Sequence, residues 1–570
     1  MTIAALFQQA VQAFQSRNYA AAEQLCQQIN QQQPQADVLH MLALCARQRH
    51  DTAAAERYFQ QSLKLQAQPT IRANYANFLV SEQRYTDAVE QFNHLATQQQ
   101  LTANSAQQYI WTLGQLQQLE RALETALAQL QLHPQNAPLL FQVGQLWRQL
   151  GQPERALSYL QQACALSKPI PVRYGYALAC VEYDIDKVDA AEQRLTKLIQ
   201  AQPDLIEAHQ ALNQLYWEQG RTDKFGQSYV QARHQKPDSL GLLHAQVSQW
   251  LLAENFTKAQ ELIESAPNSL HQDPDIQHLR AVIYARQNRH DAARKAFIEL
   301  AQAHPYHFVI QKSAASACLR AGQYKAALGY LDRAHELEPL QQEVIAYQAL
   351  AWRLLDDPRA NWLNNPAFIQ AIPLPIPAGY ANPAVFMDAL AEALSGLHKA
   401  QRQPLDQSVR HGTQTMGHLL GIEHPVIQAF KQSLTQATER YLAQLPDDPT
   451  HPFLSRKQGS TANDFRFTGA WSVKLTQQGF HTNHVHPQGW LSCCSYIRLP
   501  EEVQADDPQH RGWIQFGETS MDLGQQEQIL LRHCPKPGEV VFFPSYFWHG
   551  TVALTEPGER LTIPVDISPM

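Results

Sequence analysis

The chain has few cysteines, eight in 570 residues, and only Cys493 and Cys494 are adjacent. Such a scattered set builds neither a disulfide framework nor a paired-cysteine zinc site, so reduced thiols in a cytoplasmic setting are expected. Long apolar runs are missing too. No stretch of about 18 apolar residues occurs, so no membrane-spanning helix is expected. The start, Met1-Thr2-Ile3-Ala4-Ala5-Leu6-Phe7-Gln8-Gln9, has no basic segment ahead of an apolar one, and a secretory signal is not expected there. Charged residues make up 17% of the chain and the net charge is −7. That balance gives no general attraction for nucleic acid or for an anionic membrane surface. Glutamine is plentiful but sits at helical positions, as solvated helix surface and not as a low-complexity tract. With a hydrophobic content of 44%, the chain has material for several folded domains.

The first two-thirds of the chain repeats itself. A small or aromatic residue is followed by a small one three places on, a large one at seven and a small or apolar one at ten, often with proline at fifteen. Clear copies are Tyr19/Ala22/Cys26/Ile29/Pro34, Tyr85/Ala88/Phe92/Leu95, Leu119/Ala122/Ala126/Pro134, Pro153/Ala156/Leu160/Ala163 and Val188/Ala191/Leu195/Leu198/Pro203. Thr222/Phe225/Tyr229/Ala232/Pro237, Phe256/Ala259/Ile263/Ala266, His290/Ala293/Phe297/Leu300/Pro305 and Tyr324/Ala327/Leu331/Ala334/Pro339 continue the series, and a weaker copy lies at Ala55/Phe59. The period is about 34 residues over about ten copies, which is the tetratricopeptide spacing: small residues where paired helices touch, proline ending the second helix. Stacked pairs form a solenoid with a concave groove over residues 1–350, suited to a protein or peptide partner or to service as a spacer. Residues 351–383, with Ile372-Pro373-Leu374-Pro375-Ile376-Pro377, read as a proline-rich linker. Residues 384–400 and 424–443 have helical periodicity, and 455–567 alternate strands and turns.

The most chemical stretch is Gly479-Phe480-His481-Thr482-Asn483-His484-Val485-His486-Pro487, with Phe543-Pro544-Ser545-Tyr546-Phe547-Trp548-His549 and Arg560-Leu561-Thr562 downstream. Ser472–Leu475 and Leu491–Leu499 read as strands, which puts His484 and His486 at a strand start. Alternate strand residues share a face, so His484 and His486 reach one ion and His481 points elsewhere. His549 follows the apolar run Val540–Phe543 on another strand. Two histidines on one strand and a third on a distant one make a facial metal site with open positions. Three histidines also suit a catalytic Zn²⁺, a reading that leaves Arg560 without a role. By the same alternation, Trp490, Ser492 and Tyr496 share the face of the pair and line its pocket.

These residues resemble the iron(II)- and 2-oxoglutarate-dependent oxygenases, in the bacterial branch where tetratricopeptide repeats precede the oxygenase domain. The resemblance is carried by Gly479–Ser492, by Gly538–Ser545 with His549-Gly550-Thr551, and by Glu559–Ile563. Pro404-Leu405-Asp406-Gln407-Ser408 and Gly412-Thr413-Gln414-Thr415 also resemble that branch, though chemistry assigns Gln407 and Thr413 no role. The resemblance covers about residues 375–570 and implies a multidomain α+β chain: an all-α repeat solenoid, then a double-stranded β-helix (jelly roll) with buttressing helices over 384–570. It implies His484, His486 and His549 as Fe(II) ligands. Arg560 and Thr562 would take the distal carboxylate of 2-oxoglutarate, Ser492 and Tyr496 would line the co-substrate site, and O₂ would be the oxidant. A planar guanidinium suits a carboxylate bidentately.

One position departs from the pattern. The superfamily commonly shows His-x-Asp/Glu…His, whereas here the middle position is His486, so the ligand set carries one negative charge fewer. His486 is also too large for the small residue with which halogenating relatives admit halide. The implied activity is a dioxygenase that hydroxylates a protein or peptide side chain captured by the repeats. Two other readings stay open: a repeat scaffold with a silent oxygenase domain, and a three-histidine dioxygenase that needs no keto acid.

Overall fold

The computed structural model describes residues 2–405 and 407–570, so Asp406 of the family-like Pro404–Ser408 segment lies outside the described residues. The chain comprises two compact units, residues 1–150 with 155–171, and 151–154 with 172–570.

The first unit consists of helix pairs, beginning Ile3–Gln15/Tyr19–Gln32 and Ala36–Gln48/Thr52–Leu65. The second unit opens with five more, from Val172–Asp184/Val188–Ala201 to Phe308–Arg320/Tyr324–Leu337, and a last unpaired helix, Gln342–Leu354. The repeat is written in the backbone as well as in the side chains. Two residues beyond the end of each leading helix the chain turns left-handed, at Arg17, His50, Gln83, Gln117, Gly151, Asp186, Gly220, Glu254, Asn288, Gly322 and Asp356, with φ of 54° to 76°. The alanines expected between paired helices are buried: Ala22, Ala55, Ala88, Ala122, Ala156, Ala191, Ala259 and Ala327 are all at 0% exposure. A methyl group is what lets two helix backbones approach this closely, and larger side chains there force off-rotamer packing.

The exception explains itself. In the copy starting at Thr222 the alanine position holds Phe225, and the second helix is short, Gln227–Gln235. The ring does not fit between helices and packs edge-on against Trp250, at 4.9 Å between centroids. Gly226 makes the turn at φ 84°, and a Cβ there would stand 2.9 Å from the Trp250 ring.

Ten strands follow: β1 Gln370–Pro373, β2 Val409–Gln414, β3 Phe465–Ala470, β4 Val473–His481, β5 Leu491–Arg498, β6 Ile514–Phe516, β7 Leu531–His533, β8 Glu539–Pro544, β9 His549–Thr551 and β10 Arg560–Pro569. The main antiparallel sheet runs β1-β8-β5-β10-β4-β2, with β3 also on β10, and the smaller sheet runs β7-β6-β9. This arrangement fits an oxygenase jelly roll. The helices Pro383–Ser395 and Pro425–Gln444 match the two expected buttresses and bury Phe386, Leu390, Phe430, Leu434 and Tyr441 in the core shared with β8 and β10.

Residues 351–383, expected as a linker, are built into the domain. They hold a short helix, Arg359–Leu363, and β1, the edge strand that pairs with β8 from Gln370↔Phe542 to Pro373↔Glu539. Tyr546 donates to the Leu363 carbonyl at 2.7 Å and Tyr441 to that of Phe368 at 2.8 Å. Proline marks an edge strand here and not a spacer, because only an outer strand tolerates the missing N–H. The last repeat helix is tied in as well: the Tyr347 and Trp548 rings stack at 6.0 Å, and the Gln342 N–H donates to the Pro487 carbonyl.

Candidate metal centre

His484 and His486 do not begin a strand. They lie on the extended connection between β4 and β5, which runs beside the β8–β9 segment. His484 and His549 exchange backbone hydrogen bonds of 2.9 and 3.0 Å, and the His486 N–H donates to the Ser545 carbonyl at 2.9 Å. The site therefore sits at the junction of the two sheets. Gly489 permits the close approach, since a Cβ there would stand 2.2 Å from Ser545 Oγ. Alternation holds locally: Val485 turns into the core while its neighbours turn together to His549.

One ring nitrogen from each of His484, His486 and His549 lies within 4.8 Å of the others. The opposite nitrogens explain the orientation. His484 Nδ1 lies 2.8 Å from the Thr482 carbonyl and His549 Nδ1 2.9 Å from that of Phe547. His486 Nδ1 lies 2.7 Å from Asp566 Oδ1. Each acceptor holds the proton on Nδ1, which leaves the Nε2 lone pairs facing a common centre, as a metal requires. Burial, and the charge of His486 beside it, push His484 down to about 3. His549 is lowered for the same reasons. His486 also suffers burial, but Asp566 outweighs it and the imidazole is raised.

His481 lies outside the converging group of three, though close beside it. Thr482 and Asn483 break the strand, and the ring lies 6.1 Å from that of His484. Ser408 Oγ links the two, 3.0 Å from His481 Nδ1 and 3.3 Å from His484 Nε2.

β10 builds the rest of the site by alternation. Leu561, Ile563, Val565 and Ile567 are fully buried in the core. The other face carries Arg560, Thr562, Pro564 and Asp566, and in register with them β5 presents Tyr496, Cys494 and Ser492 opposite Thr562, Pro564 and Asp566. Arg560 is 1% exposed, and no carboxylate pairs with it among the described residues. Its Nε and Nη1 have no hydrogen-bond partner, and the hydroxyls of Thr562 and Tyr496 have no partner but the neighbouring Cys494 thiol. The guanidinium lies 5.1 Å from the centroid of the Tyr496 ring. A buried cation with unused donors beside two hydroxyls that meet only a weak thiol partner suits an anion, because burying such a charge unpaired is costly.

Two expected pocket residues are engaged elsewhere. Ser492 Oγ is 2.8 Å from both Asp566 Oδ1 and Ser545 Oγ, so it secures Asp566. Trp490 donates to the Phe453 carbonyl at 2.8 Å and belongs to the core. Thr413 gains a partner in His398, whose Nδ1 is 2.8 Å from its hydroxyl. The residue that sequence reasoning missed is Asp566. Its signal was the alternation Arg560-x-Thr562-x-Pro564-x-Asp566, which places it on the face of Arg560 and Thr562.

Residues 469–566 match the family described as "Putative 2OG-Fe(II) oxygenase", and residues 278–341 match the tetratricopeptide repeat. No curated protein matches the chain. Similar solved structures include a tetratricopeptide repeat protein from Parabacteroides merdae, at 14% identity over 49% of this chain and 97% of that one, with a TM-score of 0.34. Yeast Tom70 is similar at 11% identity over 80% and 98%, with a TM-score of 0.34. MamA from Desulfovibrio magneticus is similar at 18% over 30% and 96%, with a TM-score of 0.28. No helix among the described residues is long and apolar enough to cross a membrane. The 2OG-Fe(II) oxygenase family implies Fe(II), 2-oxoglutarate and O₂, and the repeats suggest protein or peptide binding. The chain thus carries tetratricopeptide repeats and, at residues 469–566, a region that matches the 2OG-Fe(II) oxygenase family model.

Proposed function

We propose that the chain is an Fe(II)- and 2-oxoglutarate-dependent dioxygenase that hydroxylates a side chain of a protein or peptide held by the repeats. His484, His486 and His549 would hold the iron through Nε2, each ring kept in that tautomer by the acceptor on its Nδ1. Arg560 would receive the distal carboxylate of 2-oxoglutarate, with hydroxyls from Thr562 and Tyr496 beside it. Bound together, these groups supply oxidation of a C–H bond coupled to decarboxylation of the keto acid. The chain's own part is to bind, orient and exclude water: Phe543 packs 4.5 Å from the His549 ring and shields one side. The repeats raise the local concentration of the substrate near the site.

The observation that carries this reading is Arg560, a buried cation with unpaired donors on the same face of β10 as the histidine-bound Asp566. A zinc centre or a silent scaffold gives that cation no counter-charge. The test is succinate formation from 2-oxoglutarate with Fe(II) and O₂, together with mass spectrometry of proteins trapped on the full-length chain. A gain of one oxygen on a trapped protein, dependent on 2-oxoglutarate, is the expected result. Succinate-free preparations with full iron loading would overturn the proposal.

A further inference from the structure

The three candidate ligands are not held alike. His484 and His549 donate from Nδ1 to neutral backbone carbonyls, whereas His486 donates to a carboxylate at 2.7 Å. That carboxylate is fixed in turn: Ser492 Oγ donates to the same Oδ1 at 2.8 Å, and Ser492 is itself locked against Ser545. Position 486 is also the place where the wider superfamily commonly has Asp or Glu. The charge missing at the middle ligand position thus reappears one hydrogen bond behind it, on β10.

We infer that Asp566 is a positioning residue that supplies, through His486, the negative charge the three-imidazole set lacks. A carboxylate on Nδ1 polarises the ring and strengthens Nε2 as a donor, and it fixes the ring plane. His486 with Asp566 then acts as one anionic ligand in two parts, while His484 and His549 act as neutral ones. The inference rests on the iron reading above, and a metal titration separates the two.

The test is anaerobic titration of the full chain with Fe(II), and with Co(II) as a spectroscopic probe. Asp566→Asn keeps the shape and an acceptor oxygen but removes the charge. Its metal affinity should fall roughly 10- to 100-fold, the usual effect of losing such an outer partner. Its Co(II) ligand-field bands should shift, while the circular dichroism of the metal-free protein stays that of wild type. His486→Glu returns a carboxylate to the ligand position. In that background Asp566→Asn should cost no affinity, because the charge is already supplied and two adjacent carboxylates repel. Ser492→Ala should show a smaller loss in the same direction as Asp566→Asn.

Wild-type affinity and unshifted Co(II) bands in Asp566→Asn would overturn the inference and leave the iron reading intact. So would an equal loss in the wild-type and His486→Glu backgrounds, which would mark Asp566 as mere scaffolding. Absence of metal binding by the wild type would instead remove the iron reading, and this inference with it.

Discussion

Replacing Arg560 with Met should move stability and co-substrate use in opposite directions. The guanidinium is 1% exposed, has no carboxylate partner, and leaves Nε and Nη1 without acceptors. Each unsatisfied buried donor costs about 1–3 kcal/mol, more when charged. The ligand-free protein therefore carries a strained charge, and Met, similar in length and apolar, should raise its stability by roughly 1–4 kcal/mol. The same substitution removes the proposed partner of the keto-acid carboxylate. A charge-assisted pair contributes about 1.5–3 kcal/mol, so the 2-oxoglutarate requirement should rise on the order of ten- to a hundredfold. Arg560→Lys should recover only part, since a point charge lacks the planar fork. The assay pairs thermal melting without and with 2-oxoglutarate under anaerobic Mn(II) or Fe(II). Wild type should gain about 2.7 kcal/mol at a hundredfold excess over Kd, and the Met variant little at the same concentration. A Met variant that is less stable than wild type without ligand, or that keeps the wild-type ligand shift, would refute the reasoning.

Other consequences follow from the same structure. His398 is held neutral between Thr413 and Ser472, and burial lowers it from 6.5 to about 4. Its stabilising contribution is complete above the unfolded value and lost as pH falls from about 6.5 through 4, by up to about 2–3 kcal/mol; His398→Gln should flatten the melting temperature across that window, and an unchanged profile would count against it. Ala327→Leu should destabilise by about 1–3 kcal/mol in denaturant unfolding, because the methyl site is fully closed. A fragment starting at Pro375 loses β1 and should melt well below one that starts at residue 355, whereas equal melting would show that the edge strand adds nothing.

Much of this was legible in the sequence because it was periodic. Small residues recurring about every 34 positions cannot be mistaken for chance when Ala22 through Ala327 keep the spacing of a helix pair. The strands β4, β5 and β8 were likewise readable from apolar runs and alternation. What failed was local continuity. His484 and His486 were placed at a strand start, whereas they lie on the connection between β4 and β5. β1 was hidden because proline is common to linkers and edge strands. Ser492 was on the right face, yet its hydroxyl was claimed by Asp566, and such competition between polar partners is settled only in three dimensions. Phe225 shows the converse: a broken repeat position announced a broken helix.

The most direct test of the central claim is an anaerobic titration with Fe(II) and 2-oxoglutarate, followed by visible absorption. The account predicts a charge-transfer band of a chelated keto acid in the wild type that disappears in His484→Ala and His549→Ala. A band that survives both substitutions at wild-type iron affinity would contradict it.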